Sequence, residues 1–224
     1  MNDQHAEWNA RHQALRQALA KPQTLPEAIG LFMSHHAALH AFEVAPGPYS
    51  FEEELWDGLS PTAARCIPTG SEHSIAWNLW HLARIEDVTM NVLLAGGDQE
   101  LTSGGWLEQL AVPFRHTGNS MPPDEIAALS TAIDLPALRA YRSAVGRRTR
   151  AAVQTLTPAE ITQKVQPERL QRLLDEGAVV PAAQEVLAYW GGLTLAGLLL
   201  MPPTRHNFIH INESMRLKQK CRKV

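Results

Sequence analysis

The chain has 224 residues, of which 45% are hydrophobic and 19% charged, and its net charge at pH 7 is −3. This composition is ordinary for a globular protein and excludes a disordered chain. The acidic balance gives no electrostatic reason to expect a nucleic-acid partner. No apolar run approaches the roughly 20 residues that a membrane span requires.

The N-terminus and the cysteine content favour a reducing compartment. The first residues, MNDQHAEWNARHQ, lack the apolar core of a secretory signal. Cys66 and Cys221 are too few for a disulfide scaffold and lie far apart in the sequence. We therefore expect a soluble protein in a reducing, cytoplasmic setting.

Helical periodicity runs through most of the chain, whereas the alternating pattern of strands is nearly absent. Between the second and third long helices, residues 95–133 form a loop-rich insertion with short extra helices. No internal repeat and no low-complexity linker divides the chain, so we expect a single all-α domain over residues 1–224. Apolar spacing and capping residues predict four long helices, at 26–42, 71–94, 135–156 and 181–220, the last one interrupted.

The first of these helices contains the stretch SHHAALHAF, in which His36 and His40 lie four residues apart. On a helix this spacing places both rings on one side, where they can share a metal ion. No other motif supports this pair. We interpret the two histidines as one face of the first bundle helix, with lining of a metal site as the alternative. The remaining histidines outside the motifs below are interpreted as surface or loop residues: His5, His12, His35, His73 and His116.

The second long helix contains SIAWNLWHLARIED, with His81 deep inside it. A single histidine in such a helix is more often a buried structural residue than a metal ligand. Asn78 lies one turn before His81 and is a candidate pocket residue, with a helix-surface amide as the alternative.

The last helical region contains the stretch MPPTRHNFIHINESMRL, in which His206 and His210 are also four residues apart. Both imidazoles therefore point the same way, about 6 Å apart along the helix axis. Pro202 and Pro203 predict a kink or a fresh start, which we expect to turn the pair toward His81.

Glu213 lies three residues after His210, on the same helical stripe. It is a candidate to orient a ligand, to hold a metal-bound water or to act as general base. The alternative is an exposed acid paired with Arg216 or Arg84.

The stretch SIAWNLWHLARIED, followed much later by TLAGLLLMPPTRHNFIHINESMRL, resembles the DinB/YfiT-like superfamily of metal-dependent proteins. His81 matches the family's histidine in the second bundle helix, and His206 and His210 match its HxxxH pair in the last long helix. The resemblance implies a four-helix bundle in which these three histidines hold a divalent metal ion, with positions left open for water or substrate. Ligation by imidazole alone suits zinc, nickel and iron alike.

The better understood members of this superfamily are transferases and isomerases that use low-molecular-weight thiols such as bacillithiol or mycothiol. The resemblance therefore implies a metal-dependent transferase or hydrolase acting on a small molecule, with thiol S-transfer as its most specific form. One alternative is a non-catalytic metal-binding or stress-associated oligomeric helical protein. Another is a structural bundle whose histidines are incidental.

The segment 186–201 is apolar nearly all round and must be covered, either by the 95–133 insertion or by a second subunit. Because members of the superfamily are often dimers, we expect a homodimer.

Overall fold

The computed structural model describes residues 2–221 and is all α-helical, which confirms the predicted fold class. No strand forms among these residues, and an isolated bridge joins Lys164 to Thr194. The helices, in chain order, are α1 (Asn2–Leu19), α2 (Leu25–Ala37), α3 (Phe51–Trp56), α4 (Pro61–Arg65), α5 (Ile75–Glu86), α6 (Glu100–Ser103), α7 (Trp106–Gln109), α8 (Pro123–Ala132), α9 (Leu135–Gln154), α10 (Pro167–Asp175), α11 (Gln184–Gly192), α12 (Leu195–Leu200) and α13 (Asn207–Cys221).

Short polar side chains begin several of these helices. Each accepts a hydrogen bond from a backbone N–H of the first turn, a group that has no partner inside the helix. The capping residues are Ser50 for α3, Ser60 for α4, Ser74 for α5, Asp134 for α9 and Thr194 for α12.

Two of the predicted long helices differ from expectation in ways that shape the site. α2 ends at Ala37, so His40 lies beyond it in a turn. The region predicted at 181–220 is divided into α11, α12 and α13, with a π-helical turn at Met201–His206 before α13. Pro202 and Pro203 lie in that turn and lack the N–H groups that a regular α-helix would use. A second π-helical stretch, Asp87–Leu94, continues α5.

The apolar core consists of two clusters, one at each end of the bundle. Along α1, for example, Trp8 belongs to one cluster and Leu15 to the other, and the buried His12 lies between them. A layer of buried polar side chains thus separates the clusters. Its members include His12, His35, His36, Arg84, Glu86, Asp87 and Asn207.

The two cysteines meet at one end of the bundle. The structure pairs Cys66 with Cys221 as a disulfide, with their Cα atoms 6.2 Å apart. The sequence favoured a reducing setting, in which both thiols would remain unpaired, and the structure differs from that expectation. The pairing fixes the C-terminal end of α13 to the segment after α4. Within residues 2–221, no helix is both long and apolar enough to cross a membrane.

Candidate metal centre

Three histidines from two parts of the chain meet at the boundary of the polar layer. His81 comes from α5, His206 ends the π-helical turn, and His210 lies in the first turn of α13. The turn is held by the Thr204 hydroxyl, which donates to the carbonyl of Leu199 at 2.8 Å. The irregular backbone around the two prolines thus ends where the HxxxH pair faces His81.

The three rings are arranged around a common point. The Nε2 atoms of His81 and His206 are 3.2 Å apart. The ring of His210 lies 5.2 Å from that of His81 and 4.7 Å from that of His206, measured between centroids. One nitrogen from each residue lies within 4.8 Å of the others. Two nitrogens bound tetrahedrally to one zinc ion would be about 3.3 Å apart, so the spacing suits a shared ion.

Hydrogen bonds on the far side of two rings determine which nitrogen faces the centre. The Nδ1–H of His81 donates to the backbone carbonyl of Thr117 at 2.5 Å. The Nδ1–H of His210 donates to Oε2 of Glu213 at 3.0 Å. Both rings are left with a free electron pair on Nε2, and metal-binding histidines are usually held in this way.

The surroundings keep two of the site histidines, His81 and His206, neutral. Burial, and then the nearby His210, lower the pKa of His81 to about 3. Burial, and then His81, hold the pKa of His206 well below its usual range. The hydrogen bond from His210, and then the nearby His73, keep the pKa of Glu213 below its usual range, so this side chain is an anion. Neutral imidazoles with a carboxylate behind them suit a divalent cation.

The loop that contains Thr117 lies in the 95–133 segment and was not assigned to the site from the sequence. Gly118 has a φ of +88°, a conformation that favours glycine, and a Cβ there would lie 2.7 Å from the Trp80 ring. Glycine therefore lets the loop approach α5 closely enough for Thr117 to reach His81. A threonine–glycine pair in a loop was the available signal, but any backbone carbonyl could have filled this role.

His73 was interpreted as a surface or loop residue, but it belongs to the surroundings of the site. Its ring stacks on Trp77 at 3.8 Å, and Trp77 stacks in turn on His81 at 4.7 Å. Its Nδ1 lies 3.9 Å from Oε1 of Glu213. His73 and His210 therefore approach the two oxygens of one carboxylate.

Solvent reaches one side of the candidate centre. The His210 side chain is 19% exposed, whereas His81 is buried. A largely apolar cavity of about 110 Å³ borders His206, and its lining includes Asn119, Tyr189, Trp190 and Met201. A small molecule could therefore approach the histidines from this side.

The remaining predicted site residues lie at the helix interfaces. Asn78 is fully buried, and its amide donates to the Ser214 hydroxyl at 3.2 Å, linking α5 to α13. Glu213 contacts His210 and His73, while Arg84 pairs instead with Asp87 at 2.9 Å.

A second group of metal-ligand side chains lies deeper in the bundle. His36, His40 and Glu86 are at most 1% exposed, and one ligand atom from each lies within 4.8 Å of the others. Two further histidines, His12 and His35, were interpreted as surface or loop residues. That interpretation was wrong, since both are buried.

The family assignment agrees with the helical architecture. A family model of the DinB superfamily matches residues 53–193, more than half of the 224-residue chain. The chain belongs to the DinB superfamily. The matched part includes His81 and the Thr117 loop and ends before His206, so the placement of the HxxxH pair in this DinB protein rests on its geometry. A comparison with curated proteins finds none that matches the chain.

Proposed function

We propose that this DinB protein is a metal-dependent transferase or hydrolase acting on a small molecule, with His81, His206 and His210 as the metal ligands. One observation carries the proposal. The Nδ1 atoms of His81 and His210 donate to a carbonyl and a carboxylate, so both Nε2 atoms are free to bind a metal. The Nε2 atoms of His81 and His206 are 3.2 Å apart, close to the separation of two nitrogens bound tetrahedrally to one zinc ion, and this distance supports the proposal as well.

A divalent cation in such a site would lower the pKa of a bound thiol or water, so that it could attack an electrophile at neutral pH. The protein supplies orientation and charge. Thr117 fixes the tautomer of His81. Glu213 fixes that of His210 and adds a negative charge beside the site. Its low pKa suits a positioning role for Glu213 better than that of a general base.

Access to the site favours an enzyme over the non-catalytic alternative. Three protein ligands with solvent on one side are the arrangement of catalytic zinc sites, whereas structural sites are closed by a fourth ligand. The exposed edge of His210 and the cavity beside His206 provide that open side. The apolar lining of the cavity favours a substrate with an apolar group next to its reacting atom.

A low-molecular-weight thiol is the substrate class that the family resemblance supports, with S-transfer to an electrophile as the reaction. The test is a thiol-transfer screen on metal-reconstituted protein, using several small thiols and one chromogenic electrophile. We expect turnover by the wild type and its loss in His81→Ala. His5→Ala, which changes a histidine of α1, is the matched control and should retain activity.

Metal content is measured on the same samples. Stoichiometric metal without turnover by any thiol or hydrolysable ester would favour the non-catalytic metal-binding protein. Less than about 0.1 equivalent of metal after reconstitution would reject the site itself. Equal turnover by the wild type and His81→Ala would reject metal-assisted catalysis at these residues.

We also propose that the protein forms a homodimer. The segment 186–201 is split between α11 and α12, and the chain itself buries much of it, including Leu187 and Trp190. Tyr189 and Ile209 remain 48% and 43% exposed, which supports a further partner surface near the site. Light scattering should give about twice the chain mass of 24.8 kDa. A mass equal to that of one chain would show a monomer.

A further inference from the structure

We propose that His36, His40 and Glu86 form a second, closed binding site for a divalent cation, separate from the three-histidine centre. The Nε2 atom of His36 lies 2.9 Å from Oε1 of Glu86. The Nε2 atom of His40 lies 3.1 Å from Oε2 of the same carboxylate. Two histidines and one glutamate are an established ligand set for zinc.

The geometry suits a shared ion. The two imidazole rings stack with their centroids 4.1 Å apart, so both Nε2 atoms point in one direction, toward Glu86. Ligand atoms bound tetrahedrally to one ion at bond lengths of about 2.0–2.1 Å would be about 3.3 Å apart. Small movements of the two rings away from the carboxylate would therefore make room for a cation.

The partners of Glu86 differ from those of the neighbouring buried acids. Glu52 pairs with Arg142 at 3.0 Å, and Asp87 pairs with Arg84 at 2.9 Å. In the described part of the chain, by contrast, the side chains at ion-pair distance from Glu86 are the two histidines. A buried carboxylate without a cation is costly, and a bound metal ion would supply the positive charge.

A further hydrogen bond holds the carboxylate in place. The amide of Asn207 donates to Oε2 of Glu86 at 2.7 Å, and Asn207 adjoins His206 of the three-histidine centre. Such a contact orients a ligand without occupying the metal. The cation would connect α5 to α2 and the turn after it, and the Asn207 bond links the same carboxylate to α13.

Complete burial, rather than a fourth side-chain ligand, closes this site to substrate and gives it a structural role. His36 and Glu86 have no exposed surface, and His40 is 1% exposed, so no substrate can reach the group in this conformation. Metal would enter during folding, because binding to a closed site is coupled to formation of the fold. The contacts allow another arrangement, in which two neutral rings donate their Nε2–H groups to Glu86. The number of bound metal ions distinguishes the two.

The experiment unfolds the full chain in chelator, refolds it in Co²⁺ or Zn²⁺, removes free metal and measures the bound equivalents. We expect about two equivalents for the wild type and about one for His81→Gln/His210→Gln, in which only the second site is intact. We also expect about one for His36→Gln/His40→Gln, with the cobalt absorption of the three-histidine centre retained.

The variant lacking the three-histidine centre keeps the test decisive even if His36→Gln/His40→Gln does not fold. Its thermal unfolding midpoint should rise when it is refolded with Zn²⁺. Less than about 0.1 equivalent in this variant, with no change in its midpoint, would overturn the second site and support the hydrogen-bonded arrangement. One equivalent in the wild type and none in His36→Gln/His40→Gln would mean that the three-histidine centre binds no metal. That result would overturn the proposed function and leave the second site intact.

Discussion

The two histidine groups of this protein share helix α5 but have different surroundings. His81 and Glu86 both lie on α5, and His206 and Asn207 are neighbours at the start of α13. In the open group, a carbonyl and a carboxylate accept the Nδ1–H of two rings. In the closed group, the Nδ1 atoms of His36 and His40 have no hydrogen-bond partner among the described residues.

This difference shows that ligand spacing alone does not indicate what a histidine pair does. Both groups contain two histidines four residues apart. Only the open group has solvent on one side and hydrogen-bond acceptors behind rings, at His81 and His210. The closed group is completely buried, and a carboxylate faces the Nε2 atoms of both its rings. Access and hydrogen bonding therefore suggest a reactive role for one group and a structural role for the other.

The largest expected effect is loss of the open group. His81→Ala should weaken metal binding there by well over the 10- to 100-fold that is typical when only a ligand's hydrogen-bond partner is removed. Zinc bound at the open group should stabilise the folded chain, and this contribution should be absent in His81→Ala. Competition with a chromophoric chelator measures the affinity. If His81→Ala bound metal with an affinity within about tenfold of the wild type, His81 would not be a metal ligand, and the contrast between the two groups would fail.

The second prediction concerns acid and the closed group. Burial, and then the nearby His40, lower the pKa of His36 to about 4. An unfolded chain binds a proton at this histidine below about pH 6.5, whereas the folded chain does so only near pH 4. The stability that His36 contributes is therefore complete above pH 6.5 and is lost as the pH falls toward 4.

Urea denaturation in chelator between pH 7 and pH 4.5 measures this loss. His36 should contribute a slope of about 1.4 kcal/mol per pH unit to the free energy of unfolding. In His36→Gln the total slope should fall by about that amount, and in the control Gln13→Ala, a change at an exposed side chain of α1 that does not titrate, it should stay the same. Equal slopes in the wild type and His36→Gln would show that His36 is not held neutral.

The helices and the open group could be predicted from the sequence because both depend on local patterns. α9 begins at the predicted residue 135, after the capping Asp134, whereas α5 begins after the capping Ser74, four residues later than predicted. His81, His206 and His210 were found because helical spacing and family resemblance agree. The two prolines also predicted an irregular turn, since a proline has no N–H to donate.

The partners of these histidines could not be predicted because they depend on how distant segments approach each other. Thr117 acts through its carbonyl, which every residue has, and it reaches His81 because Gly118 adopts a positive φ. The position of Glu86 in the sequence gives no signal of this role, since an acid near a helix end is usually solvated. His40 was placed on a helix, yet it lies in the turn after α2, where long-range packing sets the position of its ring.

A smaller effect is expected from the carboxylate behind the open group. Glu213→Gln keeps the shape of the side chain but removes the charge that holds the His210 Nδ1–H. We expect a 10- to 100-fold loss of metal affinity at the open group, as is typical for such partners, with unchanged stoichiometry. Glu168→Gln, a change at an exposed acid of α10 outside both groups, is the control. An unchanged affinity in Glu213→Gln would show that the hydrogen bond between His210 and Glu213 is incidental.

The smallest effect is expected at Gly146 of α9, which adjoins the closed group. A Cβ at this position would lie 2.8 Å from Nδ1 of His40 and 3.2 Å from a methyl carbon of Val44. Alanine normally stabilises a helix by about 1 kcal/mol relative to glycine. Here the buried His40 ring must move to avoid the added methyl group. We therefore expect Gly146→Ala to lower the free energy of unfolding by about 1–2 kcal/mol.

Gly30→Ala in α2 is the matched control, since a Cβ there meets nothing within 4 Å. Cobalt absorption of the open group should be the same in both variants. A Gly146→Ala protein more stable than the wild type would show that His40 can shift freely, and the closed group would then lack the rigidity that distinguishes it from the open one.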